Sequence, residues 1–495
     1  MEISDLAVAS ITNDRVELFG KSLKSIAREL EHSNLNSRIA VFDDSSRSEV
    51  RAEKRGIAET LEARHEVSVD YYGLEEKEAF LQDLGRDLKN EGVDRGLLAY
   101  AFFGNPDITE LRGPGGNHNT ATLAAAGKRL LSFDDDTEMR AVSRTGTERS
   151  LQILDKKLNL EYAAFREERQ LEEFLLPYEE NLFLKLDSFL GKSVSRVMED
   201  FSTENPADNT FKSADTIKTV MTGIFGGRWS QQPFGILYGE GPLRDAMYRS
   251  RKEYEAAKLN PCSFLQAPGF LLSRSPLIIA ASFGMDNRTI SPPFIPGMRN
   301  SDNIWGIIHR SCYRDSLAAY LPFAVAHNIS AKRAFNKKDF EDTHVNLGMM
   351  SLLVVEEIAR RIPSLPPDEV LAKMGSSLAE ASRLDHKNWA EFTRALWFRY
   401  IDQTEVRLTE LLDKYNRRPR FWTRDVALFI RRLREESLEP EASFPRELLI
   451  GRNGEEAGAL HRKIIGDYGL LLQAWPVIWE AARRMNVTRK PAGRV

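Results

Sequence analysis

The stretch LLSFDDDT, residues 130–137, sets three consecutive aspartates directly after a short apolar run. The apolar run predicts a buried β-strand, and the acidic residues follow where that strand ends. Because side chains alternate along an extended backbone, we expect Asp134 and Asp136 to point one way and Asp135 the other. Two carboxylates on one side can bind a hard divalent cation and leave positions for phosphate oxygens. The alternative is an acidic turn that caps a helix beginning near Thr137.

Outward from this strand, short apolar runs alternate with segments whose apolar residues recur at helical spacing. Strands are predicted at residues 6–11, 38–42, 67–72, 97–103 and 129–133, with helical segments between them. This alternation predicts an α/β fold with a mostly parallel sheet. In such sheets ligands bind beyond the carboxyl ends of the strands. The aspartate run and a second acidic cluster, Asp43-Asp44, both lie at predicted strand ends.

The rest of the chain is predicted to be largely helical in two places. Residues 146–204 are charged and have Leu, Phe and Tyr three and four positions apart, which predicts a helical insertion. After Asp339 the helical pattern continues almost without a break. We therefore predict a sheet-containing domain at residues 1–335, which includes the insertion, and an all-α domain at residues 336–495.

Composition excludes several classes of protein. The chain has 495 residues, enough for two or more structural units, and its charges nearly balance, with Lys+Arg 69 against Asp+Glu 73. This balance gives no global attraction to nucleic acid, so no nucleic-acid partner is expected. The 2 cysteines form no zinc or disulfide pattern. Since no signal peptide and no apolar run of transmembrane length is found, a cytoplasmic protein without a transmembrane segment is expected.

Two weaker motifs precede the aspartate run. The Asp43-Asp44 carboxylates could accept hydrogen bonds from a ribose or a base, although the same residues could cap the next helix. The glycine-rich turn GPGGNHNTA, residues 113–121, opens a helix and could present backbone N–H groups to phosphate. It is neither a dinucleotide fingerprint, because His118 occupies the last glycine position, nor a P-loop, because Gly-Lys-Ser/Thr is missing.

The order of these motifs resembles that of the inverting glycosyltransferases of the GT-A fold, the broad family-2 type. The resemblance covers roughly residues 5–140. Its four matching segments are AVASITNDR at 7–15, IAVFDDS at 39–45, GGNHNTA at 115–121 and the Asp-x-Asp strand LLSFDDD at 130–136. One departure is His118, which occupies a position where the family commonly has an Arg. The resemblance implies a Rossmann-like catalytic domain with its sheet flanked by helices.

The resemblance also implies roles for individual residues. A nucleotide-sugar would contact Thr12, Asn13, Arg15, Asp43, Asp44, Gly116, Asn119, Asp134 and Asp135. Asp134 and Asp136 would bind Mn²⁺ or Mg²⁺, with His327 as a third ligand. Asp302 would be the catalytic base.

Each downstream assignment has an alternative. Asp302 could instead be an N-cap for a helix at residues 304–309. His327 could be a buried histidine of a turn, and His309 and His344 compete with it as the metal ligand. Asp286 and Asp315 are the next candidates for the base.

The implied activity is metal-dependent transfer of a sugar, with inversion, from a nucleotide-sugar to an acceptor hydroxyl. A UDP-sugar is preferred on the resemblance alone, and the acceptor is left open among a glycan, a lipid-linked sugar, a small molecule and a peptide. The alternatives are a sugar-phosphate nucleotidyltransferase and a non-catalytic protein that binds nucleotide-sugars or acts in assembly. The apolar segment at residues 470–479 further suggests a homodimer contact, or a cover over the acceptor, through the C-terminal helices.

Overall fold

The structure is a computed structural model. It describes residues 5–35, 37–65, 67–105, 108, 113–148, 150–155, 158, 160–201, 211–227, 233–259, 262–328, 337–340 and 342–488. The predicted domain boundary at 335/336 and the predicted end of the insertion at residue 204 lie outside the described residues.

Thirteen strands join one large mixed sheet. In chain order they are β1 (Leu6–Thr12), β2 (Arg38–Asp43), β3 (Ser68–Tyr72), β4 (Arg129–Asp134), β5 (Thr137–Arg144), β6 (Leu151–Leu154), β7 (Glu161–Phe165), β8 (Leu175–Pro177), β9 (Ile217–Gly226), β10 (Cys262–Gln266), β11 (Phe270–Ser273), β12 (Ser282–Asp286) and β13 (Leu317–His327).

The helices in the first half of the chain are α1 (Val16–Ser33), α2 (Ser48–Arg64), α3 (Leu74–Asp87), α4 (Arg95–Phe103), α5 (Gly115–Ala124), α6 (Glu168–Glu172), α7 (Leu182–Asp187), α8 (Val194–Glu199), α9 (Arg244–Met247) and α10 (Arg251–Leu259). Those in the second half are α11 (Ser301–Cys312), α12 (Leu347–Ala359), α13 (Pro367–Ala381), α14 (His386–Lys414), α15 (Arg420–Ser437), α16 (Arg446–Leu449) and α17 (Gly454–Thr488). Two short 3-10 helices span Pro233–Tyr238 and Lys337–Phe340.

The sheet begins as a parallel unit and continues as a mixed one. Its main path runs β3-β2-β1-β4-β12-β9-β13-β11-β6. The first four strands on this path are parallel, β12 is antiparallel to both β4 and β9, and β13 is parallel to β9. The predicted α/β class is confirmed. The mostly parallel arrangement applies to the N-terminal part of the sheet.

The central strands are buried on both faces, which explains their continuous apolar sequences. On β1, Val8 packs on one face with α1 and α2, and Ile11 packs on the other face near α5 and α11. In β4, Leu131 packs on the same face as Val8, and Leu130 packs on the same face as Ile11. The charged residues of β2 and β4 accordingly lie at the ends of these strands, Arg38 and Asp43 in β2 and Arg129 and Asp134 in β4.

The C-terminal helices belong to the same hydrophobic core as α3, α4 and α5. Helix α17 lies against those three helices and against α13. Its Trp475 and Trp479 side chains donate to the Ser291 carbonyl oxygen at 2.6 Å and to the Asn287 side chain at 2.9 Å. The helical prediction after Asp339 is confirmed, and these helices cover the chain segment that precedes α11.

The suggested homodimer contact through residues 470–479 is not supported by their burial. Leu471, Trp475 and Ile478 are fully buried within the chain, while Leu470 is half exposed. The many apolar residues of this segment are explained by packing within the chain, since α17 contacts α3, α4 and α5 and also α13 and α14.

The predicted strand at residues 97–103 is wrong, because this segment forms α4. Asp94 is the helix N-cap, and its carboxylate accepts a hydrogen bond from the Leu97 N–H at 3.1 Å. A short apolar run fits a buried strand or a buried helix equally well, and the capping aspartate decides between them here.

The helical insertion predicted at residues 146–204 is also wrong. Its described part contains the strands β6, β7 and β8 as well as three short helices, α6, α7 and α8. The strands are paired into the sheet, β6 with β11 and β7 with β10. These are tertiary pairings between segments far apart in the chain, so local periodicity carries no signal for them.

In the part of the chain that the structure describes, no helix is long and apolar enough to cross a membrane.

Candidate functional site

The two acidic clusters meet at the carboxyl edge of the parallel strands. In the sheet register, Thr12 of β1 is opposite Asp43 of β2, and Ile11 of β1 is opposite Asp134 of β4. The strands end together because their registers are aligned, so the polar residues that follow them converge. The predicted position of both clusters at strand ends is confirmed.

The aspartate run forms a tight turn between β4 and β5, so neither the alternating extended backbone nor the helix cap describes it. Asp134 ends β4, Asp135 and Asp136 form the turn, and Thr137 begins β5. Because the backbone reverses here, Asp135 lies beside β1 and Asp136 lies beside the end of β13.

Asp135 is the anchor of this turn. Its Oδ2 atom accepts hydrogen bonds from the Thr12 hydroxyl at 2.7 Å and from the Asn13 backbone N–H at 3.1 Å. Burial raises the pKa of Asp135 to about 6, against the attraction of Arg15. Three predicted donor-contacting residues, Thr12, Asn13 and Asp135, are thus brought together.

Arg15 forms ion pairs with two of the three aspartates. Its guanidinium contacts Asp135 Oδ1 at 2.5 Å and also contacts Asp136 Oδ2. Burial by itself lowers the pKa of Arg15, but attraction to Asp136, Asp135 and Asp134 outweighs it and raises the pKa. The Arg15 side chain remains 38% exposed, so it forms the solvent-facing rim of the cluster.

His327 and Asp136, far apart in the sequence, are in contact. His327 is the last residue of β13, and its Nε2 atom lies 3.5 Å from Asp136 Oδ1. The pairing of β13 with β5 produces this contact, since His327 is opposite Thr137 in the register. The backbone N–H of Asn328 also donates to the Asp136 carbonyl oxygen at 2.7 Å.

Asp302 approaches the same cluster from another element. It lies in the first turn of α11, and Asn300 occupies the N-cap position, so the N-cap interpretation of Asp302 is wrong by two residues. Burial of the carboxyl group raises its pKa to about 6, partly offset by hydrogen bonds from backbone N–H groups such as that of Asn303 at 2.9 Å. Its negative charge in turn helps to raise the pKa of Asp134, after burial and the charges of Asp136 and Asp135.

The other candidates for these roles lie elsewhere. Asp286 forms ion pairs with Lys218 at 2.9 Å and Arg288 at 2.7 Å, and it is opposite Arg129 at the start of β4, the far edge of the sheet. Asp315 lies two residues before β13 and is therefore a whole strand away from His327.

The competing histidines are likewise distant from the cluster. The His309 ring stacks on Trp305 with 4.6 Å between centroids, and burial lowers its pKa to about 3. His344 lies 3.1 Å from Asp342 in a different part of the fold.

Two buried lysines beneath the site were missed by sequence reasoning. Lys54 of α2 is fully buried, and its ammonium group donates to the Thr12 hydroxyl at 2.7 Å, to Asp43 Oδ1 at 3.1 Å and to Ser45 Oγ at 2.9 Å. Lys77 of α3 is also fully buried and pairs with Asp44 and, at 2.9 Å, with Asn117 Oδ1.

A signal for both lysines exists in the sequence. Each one occupies an apolar position of an amphipathic helix, three, four or seven residues from the buried residues Val50, Ala58 and Leu61 in α2 and Phe80, Leu81 and Leu84 in α3. A lysine on a buried face requires a charged partner. The two aspartates at the end of β2 supply these partners, so Asp43 is a buried structural residue and Asp44 is only partly accessible.

The glycine-rich turn serves packing. Gly116 is buried, and a Cβ atom there would clash with the Phe102 carbonyl oxygen. Asn119 is buried as well, donating to the Ala101 and Phe294 carbonyl oxygens at 2.9 and 3.0 Å. Both were predicted to contact a nucleotide, and the structure does not bring them to the accessible edge.

We expect Gly116→Ala to lower the free energy of unfolding by about 1–3 kcal/mol, because the added methyl group must displace backbone. The matched control is Gly56→Ala in α2, where nothing lies within 4 Å of the new Cβ and the helix should gain about 0.5–1 kcal/mol. Urea unfolding measures both changes. Unaltered stability of Gly116→Ala, with a loss of nucleotide binding instead, would return Gly116 to the site.

The fit of the residues to a divalent cation is partial. Asp134 Oδ1, Asp136 Oδ1 and His327 Nδ1 are buried without a hydrogen-bond partner. Within the described residues, however, no three His, Cys, Asp or Glu side chains form a group arranged to bind a metal. The carboxylate of Asp136 and the ring of His327 are suitable ligand types and are in contact with each other. Mg²⁺-type sites often use only one or two carboxylates, with water and substrate phosphates completing the coordination shell.

No protein-family model matches the chain. No curated protein is significantly similar to it.

Proposed function

We propose that this chain is a metal-dependent, inverting glycosyltransferase of the GT-A type that uses a nucleotide-sugar donor, with a UDP-sugar as the preferred class. The observation that carries the proposal is the contact between Asp136 and His327 at the carboxyl edge of the sheet. These two residues were matched to metal ligands from the order of motifs alone, and the pairing of β13 with β5 brings them together.

Asp136 and His327 would bind the divalent cation, with Asp134 adjacent. When bound, Mn²⁺ or Mg²⁺ supplies positive charge that neutralises a diphosphate leaving group. The His ligand favours Mn²⁺ over Mg²⁺. The turn that carries Asp136 is fixed by hydrogen bonds to β1 and to Asn328, so little reorganisation is needed.

Asp302 would take the proton from the acceptor hydroxyl. Its raised pKa, about 6, leaves it ionised at neutral pH and more basic than an ordinary aspartate, which suits a general base. The acceptor would enter from the side of α11, opposite the donor phosphates. One displacement with one base inverts the configuration at the anomeric carbon.

The donor would contact the exposed rim of the edge. Asn13 is exposed and follows β1, and Arg15 is partly exposed beside it. Asp43, Gly116 and Asn119 are buried, so we do not assign them to donor contact. The sugar and the acceptor are not specified by these residues.

The test is a panel of UDP- and GDP-sugars with Mn²⁺, scored first by thermal shift and then by release of the nucleoside diphosphate. A ligand at about 100 times its Kd should stabilise the protein by about 2.7 kcal/mol. Stabilisation with turnover supports the proposal. Stabilisation without turnover would favour the binding protein, and release of pyrophosphate from a nucleoside triphosphate plus a sugar phosphate would favour the nucleotidyltransferase.

A further inference from the structure

The acidic cluster contains a cation of its own, the guanidinium of Arg15. It contacts Asp135 at 2.5 Å and also contacts Asp136. Asp136 is 8% exposed, and its other carboxylate oxygen, Oδ1, has no hydrogen-bond partner. Arg15 therefore occupies one side of the carboxylate that the proposed function assigns to a divalent cation.

The two aspartates depend on Arg15 to different degrees. Asp135 is fixed independently, since Thr12 and Asn13 donate to its other oxygen. Among the described residues, the ion-pair contacts of the Asp136 side chain are with Arg15 and, at 3.5 Å, with the His327 ring. Its backbone is fixed separately by Asn328. Breaking the contact between Arg15 and Asp136 would therefore leave the turn in place.

A guanidinium and a divalent cation cannot both neutralise Asp136 at no cost. Like charges repel strongly at such short distances, and the protein interior screens this repulsion less than water does. The exposed part of Arg15 gives it a route toward solvent while it stays paired with Asp135.

We propose that Arg15 is a displaceable counter-ion that competes with a divalent cation for Asp136. Its guanidinium balances the negative charge of the aspartate run, and it would leave Asp136 when a divalent cation binds. The inference rests on the metal assignment within the proposed function. It adds that the affinity for the cation is set below what the carboxylates alone would give.

The experiment is a calorimetric titration with Mn²⁺ alone at pH 8, where proton competition is small. We expect Arg15→Met to lower the Kd for Mn²⁺ by at least about ten-fold, because the competing charge is removed. The matched control is Lys21→Met in α1, the helix that Arg15 directly precedes; this variant removes the same charge from an exposed ion pair with Glu17. Its Kd should stay within about two-fold of the wild-type value.

Thermal unfolding supplies a second readout that does not depend on activity. Without metal, Arg15→Met should melt below the wild type, because the carboxylates of Asp135 and Asp136 lose their ion-pair partner. Saturating Mn²⁺ should raise its Tm more than that of the wild type. Arg15→Lys keeps the charge but cannot bridge two carboxylates, so its Kd should lie between those of the other two proteins.

Two results would overturn the inference, and they are distinguishable. Equal Kd values for wild type and Arg15→Met would overturn the competition alone and leave the metal assignment in place. No Mn²⁺ binding by either protein would overturn the metal part of the proposed function and this inference with it.

Discussion

Asp136→Ala is expected to abolish detectable Mn²⁺ binding and to lower sugar transfer by at least about a hundred-fold, because the carboxylate in contact with His327 is lost. The fold should persist, since Arg15 keeps its ion pair with Asp135 and the turn keeps its backbone hydrogen bonds. Calorimetry with Mn²⁺ and a nucleoside diphosphate release assay measure the two effects.

The control for Asp136→Ala is Glu138→Gln. Glu138 lies two residues further along the same hairpin and accepts a hydrogen bond from Asn328 at 3.0 Å, so the variant removes one negative charge near the site without touching a proposed ligand. We expect it to bind Mn²⁺ normally. Mn²⁺ binding that is unchanged in Asp136→Ala would remove this residue from the metal site, and Asp134→Ala would then be the next variant to measure.

Asp302→Asn is expected to lower turnover by about 10²–10⁴-fold while leaving donor affinity near normal, because an amide cannot accept the proton of the acceptor. Asp315→Asn is the matched control, since Asp315 lies at the opposite end of β13. Steady-state kinetics with the identified acceptor separates kcat from KM. Near-normal turnover of Asp302→Asn would exclude this residue as the base.

The raised pKa of Asp302 adds a pH dependence with a fixed sign. Burial moves this pKa upward to about 6, so the ionised base predominates above pH 6 and the rate should fall ten-fold per unit below it. The effect on the free energy of unfolding has the opposite sign. Because the pKa of Asp302 is higher in the folded state than in the unfolded state, its contribution to stability is present at low pH and is lost as the pH rises through 6. Asp302→Asn should therefore be no less stable than the wild type at pH 8.

The sequence predicted the parallel unit of the sheet well because each strand there has a local signature. The strands β1, β2 and β4 are short apolar runs, each ending in a polar cluster, and they were placed within one or two residues. The five long C-terminal helices were equally clear, since amphipathic periodicity repeats over many turns. Signals of this kind depend only on neighbours in the chain.

The errors occurred where tertiary contacts decide the structure. Residues 97–103 are apolar all round, so their periodicity could not distinguish a helix from a strand. The strands β6 and β7 form by pairing with β11 and β10, which lie about a hundred residues or more further along the chain. The aspartate run was predicted to have an extended backbone, but it forms the turn between β4 and β5.

The candidate site shows the same division. Motif order assigned Asp136 and His327 to one site, and the structure places the two side chains in contact, although no local pattern connects them. Sequence spacing could not predict that Asp43 and Asp44 would form ion pairs with Lys54 and Lys77. Those pairs depend on how α2 and α3 pack under the strand ends. A carboxylate at a strand end is available to a ligand only where it does not already form an ion pair with a buried lysine.

The contacts of α17 with residues 287–293 have a consequence for the order in which the protein matures during synthesis. A ribosome that has reached residue 340 has already made every residue assigned to the site. The segment leading to α11 would then still lack the helix to which the carbonyl oxygens of Ser291 and Pro293 are bonded, through Trp475 and Tyr468. Asp302 belongs to the helix that follows this segment, so under the proposed roles the metal ligands would be complete before the segment leading to the base is fixed by α17.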